Sequence, residues 1–98
     1  MTILKYVLEQ NSTLVVDGDI VPLTCDEQQG TPVMWVEHDE TRNWRSHLVF
    51  FLLTTGKQTR LPEQAKYLGT IRLSNGTYIL HCYYTKELLP RHHAEAGK

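Results

Sequence analysis

The sequence predicts a mostly β domain: a compact sandwich or strongly bent antiparallel sheet of about seven short strands, with at most one short helical turn. Three observations carry this. The apolar residues fall in short runs without a helical stripe. Gly, Pro, Asn and Asp interrupt them about every ten residues. The 98 residues, 41% of them hydrophobic, supply one core and no more.

Taken in order, Thr2–Leu8 is the first strand, rich in Ile, Leu, Tyr and Val. Ser12–Val16 is the second. Asp17-Gly18 then suits the positive backbone angles of a tight hairpin turn into Ile20–Gln28. Pro22 removes one ladder donor there, which implies an edge or a bulge. Gln29-Gly30 turns the chain into the short apolar strand Val33–Val36, and Asp39–His47 is a polar loop. Leu48–Thr55 is the most apolar stretch and fits a central strand covered on both faces. Lys57–Ala65 is a second polar loop, with one helical turn around Pro62-Glu63-Gln64-Ala65. Lys66–Leu73 and Thr77–Lys86 form a hairpin through Ser74-Asn75-Gly76. The last strand is apolar on both faces, with Tyr78, Leu80, Cys82 and Tyr84 on one and Ile79, His81 and Tyr83 on the other. One face packs on the core; the other packs on a second sheet or a second subunit, so a homo-oligomer is expected. Residues 1–88 make a single domain, and 89–98 are a polar tail expected to be disordered. The predicted core holds Trp35, Phe50 or Phe51, Leu68, Ile71 and Leu80.

Composition narrows the function classes. The longest apolar run is Leu48–Leu53, far short of the roughly 18 residues of a membrane helix. The N-terminus lacks the pattern of a signal peptide, so a cytoplasmic location is expected. Cys25 and Cys82 are a poor framework for a secreted domain and read as thiols in strands. The net charge of −1 hides an asymmetry: residues 1–40 sum to −7 and residues 41–98 to +6. Such segregation either steers a partner or is neutralised where acidic strands lie beside basic ones. A slightly acidic domain disfavours nonspecific duplex binding, and sequence-specific nucleic-acid recognition is not expected.

The sequence holds no Gly-rich phosphate loop, Ser elbow, His-Glu-x-x-His or Cys-x-x-Cys. No catalytic residue, metal ligand or cofactor is predicted, and the chain reads as a non-enzyme. Asp17 and Asp19 flank a turn glycine, where acids are common. His92-His93 lie in the tail. His38 and His47 bracket the first loop with no nucleophile beside them. The candidate binding residues are Arg42, Trp44, Arg45 and His47, because a Trp between two Arg offers a stacking face beside two guanidinium forks. Lys57 and Arg60 add charge from the second loop. His81 and Tyr83, in the last strand, are structural or pocket residues.

Thr2-Ile3-Leu4-Lys5-Tyr6-x-Leu8, Gln29-Gly30-x-Pro32-x-Met34-Trp35, Thr55-Gly56, Tyr67-Leu68-Gly69-Thr70 and Asn75-Gly76-x-Tyr78-x-Leu80-His81-x-Tyr83 occur in this order. Together they resemble a small phage and prophage protein family, over nearly the whole chain except the tail. In that family a Gly-His step follows the Thr-Gly pair; this chain has Gly56-Lys57. The resemblance implies a virus-encoded accessory protein in a bacterial cytoplasm. The expected function is therefore a non-enzymatic binding protein that counters or redirects a host system, such as an immune one, by occupying a site on a host protein. The alternative is a sponge for a nucleotide-like anion held by Arg42, Trp44, Arg45 and His47. A small hydrolase using a histidine is the least favoured reading.

Overall fold

Seven strands build two antiparallel sheets that pack face to face in the computed structural model, which describes residues 1–9 and 12–91. The strands are β1 (Thr2–Val7), β2 (Thr13–Asp17), β3 (Asp19–Gln28), β4 (Thr31–Asp39), β5 (Trp44–Thr54), β6 (Lys66–Leu73) and β7 (Tyr78–Pro90). One sheet has the order β1-β4-β3, the other β2-β5-β7-β6. This is the predicted sandwich.

Two of the predicted hairpins form. Gln29 and Gly30 take φ of +52° and +82° and join Gln28 to its ladder partner Thr31, as a two-residue turn matched to strand twist requires. β6 and β7 are joined by the single 3-10 turn Ser74–Gly76. At the predicted helical turn, the Ala65 N–H donates to the Pro62 carbonyl at 3.1 Å, and the chain then enters β6. The bulge foreseen at Pro22 is present between Pro22 and Thr24, opposite Trp35.

Asp17-Gly18 does not make a hairpin. β2 pairs with β5 and β3 with β4, so the chain crosses from one sheet to the other at Gly18. The glycine has φ of +93°, and a Cβ there would stand 2.6 Å from Glu40 Cα. Its N–H donates to the Trp44 carbonyl at 2.6 Å. The Ser46 hydroxyl donates to the Gly18 carbonyl at 2.8 Å and accepts from the Ile20 N–H at 3.3 Å. A fully buried side chain thus ties the corner to β5.

The same serine explains a second correction. Trp44, Arg45 and His47 belong to β5, not to a loop. A polar residue at an inward position hides the alternation that marks a strand. β5 is correspondingly long, and β7 runs beside it to its end, with Leu89 opposite Arg45 and Pro90 opposite Trp44. Residues 89 and 90 are therefore strand rather than tail. Residues 92–98, with His92 and His93, lie outside the described residues.

The core between the sheets holds Ile20, Met34, Val36, Leu48, Phe50, Ile71, Leu80 and both cysteines. Phe50, Ile71 and Leu80 are where they were predicted. Leu68 packs at the margin, and Trp35 is half-buried, because its ladder position shares a face with Lys5 rather than with Met34. Where β1 and β2 leave the sandwich open, a cleft of about 100 Å³ reaches Met34 and Phe50. That is well below the roughly 300 Å³ of a small-molecule pocket. Among the described residues, no helix is long and apolar enough to cross a membrane.

Candidate functional site

The predicted anion-binding residues stand at the corner end of the sandwich, and the acidic half of the chain meets them there. Arg45 Nε lies 3.0 Å from Asp17 Oδ1 and Lys86 Nζ 2.6 Å from Asp19 Oδ1. Arg42 Nε lies 3.3 Å from Asp39 Oδ2. The Trp44 indole N–H donates to Asp19 at 3.3 Å, while the Arg42 guanidinium stands 5.8 Å from the Trp44 ring centre. Arg91 donates to the carbonyls of Glu40 and Arg42 at 3.0 and 3.1 Å. Burial works to raise the Asp19 carboxyl, but its hydrogen bond and attraction to Lys86, helped by Trp44 and Arg42, outweigh this and hold it below its usual value. Asp39 is also lowered, chiefly by hydrogen bonds from the Thr41 hydroxyl and N–H. Arg42, Trp44 and Arg45 are thus brought together, but the guanidinium forks already face carboxylates. Asp17 and Asp19 are ion-pair partners of basic side chains, and among the described residues no three His, Cys, Asp or Glu gather as a metal site.

The other predicted residues lie on the outer face of the four-stranded sheet. His47 is on that face, 3.7 Å from Glu87. Lys57 and Arg60 are exposed at the opposite end of β5 from Arg42. His38 donates its Nε2 hydrogen to the Asp17 carbonyl at 2.9 Å and does not pair with His47. His81 is held at both nitrogens: the Thr55 hydroxyl lies 2.7 Å from Nε2 and the Thr70 hydroxyl 3.3 Å from Nδ1. The Tyr67 hydroxyl bonds Thr70 in turn, and the Tyr67 and Tyr83 rings stand 5.4 Å apart. Both ring nitrogens of His81 thus have partners, beside the aromatic pair of Tyr67 and Tyr83. The segment after β5 lies against the same face: Lys57 and Thr59 share a cleft with Leu53, and Gln64 shares one with Val49 and Thr85. The chain itself therefore shields part of the apolar surface that the sequence assigned to a second sheet or subunit.

A group of exposed apolar side chains lies on the outer face of the three-stranded sheet, which sequence reasoning missed. β1 presents Ile3 and Val7 there, 55% and 59% exposed, and β3 presents Val21 and Leu23, 39% and 46% exposed. The half-buried Trp35 of β4 sits among them, level with Lys5 on one side and the β3 bulge on the other. The bulge sets both Leu23 and Thr24 against Trp35, and both are exposed. Glu37 and Asp26 lie in the flanking ladder rows, beside Ile3 and Val21 and beside Val33. Alternation along β1 carried the signal, since Ile3, Lys5 and Val7 share one face; Trp35, read as core, obscured it.

A family model described as "Domain of unknown function (DUF7352)" matches residues 1–92. No curated protein matches the chain, and no solved structure does.

Proposed function

The chain belongs to the DUF7352 family, and we propose that it is a non-enzymatic binding protein that occupies a site on a partner protein through the outer face of its three-stranded sheet. The observation that carries this is the exposed apolar set Ile3, Val7, Val21 and Leu23 around Trp35. Exposed apolar side chains clustered in this way mark interaction sites, and a half-buried Trp with Leu23 beside it and Ile3, Val7 and Val21 in the flanking rows has the make-up of an interface hot spot. Charge gives the partner its character. Asp17, Asp19 and Asp39 are matched by Arg45, Lys86 and Arg42, which leaves Asp26, Glu27 and Glu37 as the remaining acids of the three-stranded sheet, against Lys5 as its one base. The partner site is accordingly apolar at its centre and basic at its rim. The resemblance to phage and prophage proteins supports reading that partner as a bacterial host protein, engaged by an accessory protein that counters or redirects its action in the host cytoplasm.

The test is capture from bacterial lysate with the wild-type chain and with Leu23→Glu and Ile3→Glu. Both positions are exposed, so folding is expected to survive. The single changes should weaken partner binding at least about thirtyfold, the scale of a lost hot spot, and wild-type association should slow with added salt. Undiminished capture by both variants would refute the assignment. Saturable nucleotide binding lost in Arg42→Ala/Arg45→Ala would favour the anion sponge instead.

A further inference from the structure

Two thiols meet between the sheets. Cys25 points inward from β3 and Cys82 inward from β7, both buried and both unbridged. β6 makes their approach possible. Gly69 is the ladder partner of Cys82, and a Cβ on Gly69 would stand 2.8 Å from Cys25 Sγ. Lateral ladder neighbours carry their Cβ positions about 4.5–5.5 Å apart, so Cys25 Sγ lies in the space beside Cys82 that a side chain at 69 would fill. Packed sheets usually stand about 10 Å apart, whereas a disulfide needs Cα atoms about 5.5–6 Å apart. Here the β6 bulge ends on Gly69, and the missing side chain leaves that space to Cys25 Sγ.

We propose that Cys25 and Cys82 form a reversible disulfide that staples the two sheets together. The oxidant is a small disulfide of the glutathione class. The Cys25 thiolate attacks one sulfur of oxidised glutathione and releases the first reduced glutathione. The Cys82 thiolate then attacks Cys25 Sγ and releases the second. Two protein thiols and one glutathione disulfide become one protein disulfide and two glutathione thiols, which carry the two protons. The order of attack follows from the side chains: the hydrogen bond from Cys82 lowers the Cys25 thiol, while that same contact and burial push Cys82 up. The link closes a loop of roughly sixty residues, and loops of that size shift the unfolding equilibrium by roughly a hundred- to a thousandfold.

The experiment brings the whole chain to equilibrium in mixtures of reduced and oxidised glutathione, with and without denaturant, and reads mass and free thiols. The expected result is a monomer lighter by two hydrogens, formed at least about a hundredfold more readily by the native than by the unfolded chain, with the matching rise in unfolding midpoint. Cys25→Ser should lack the mass change. Gly69→Ala, if circular dichroism shows it folded, should lose at least about tenfold of the native preference. A native chain that keeps both thiols at ratios where the unfolded chain is oxidised would overturn the proposal. So would glutathione adducts or cross-linked dimers in place of the internal bond.

Discussion

Ser46 shows how much of this fold hangs on single polar atoms. Its hydroxyl satisfies the Gly18 carbonyl and the Ile20 N–H, two groups on the strand-to-strand corner. Ser46→Ala removes very little volume but orphans both, so chemical denaturation should show a loss of about 1–3 kcal/mol. Gly18→Ala should lose more than about 1 kcal/mol in the same assay, because positive φ is compounded by overlap with the backbone of Asp39 and Glu40. The turn chemistry of Asp17-Gly18 was legible in the sequence, and its use was not. A glycine at positive φ serves a hairpin or a corner equally well, and the choice is made by Ser46 and Trp44, more than 25 residues downstream.

At the level of the strand, β5 divides its residues cleanly between the two faces. Leu48, Phe50 and Leu52 are buried in the core, while Val49, Phe51 and Leu53 are half-buried on the outer face, where Val49 and Leu53 share clefts with the segment that follows. Phe50→Ala should therefore lower stability by about 3–5 kcal/mol. Phe51→Ala, tested side by side by urea unfolding, should cost less than half of that. The apolar run made the strand visible, though only one of its faces is fully covered; which phenylalanine points inward follows from ladder register, which the run alone does not encode. Trp35 carries the same lesson with the opposite outcome. Its neighbours Met34 and Val36 are core, and period-2 alternation then places the Trp on the outer face. A place in a short β run between turn signals does not tell which face a residue takes, and Trp35 takes the outer one.

Across the whole molecule, the charge asymmetry resolves into pairing at one end and an acidic remainder on the three-stranded sheet. The pairing of Asp17, Asp19 and Asp39 with Arg45, Lys86 and Arg42 was one of two outcomes the sequence left open, since it joins residues up to 67 positions apart. Asp19 titrates below its usual value of 3.8 in the folded chain. A depressed carboxyl contributes stability that is complete above the unfolded-state value and is lost as pH falls through the folded one. Acid titration of unfolding should accordingly show wild type losing stability below pH 3.8 more steeply than Asp19→Asn, the gap between them closing as pH falls. Connectivity has a consequence in time as well. β1 awaits β4, and β2 awaits β5, so these two strands wait longest for a neighbour as the chain is made. At roughly 5–20 residues per second, they stay unpaired for seconds beside other nascent chains. Lys5 in the middle of β1 and Asp17 at the end of β2 are the charges that such waiting edges need to discourage the wrong ladder.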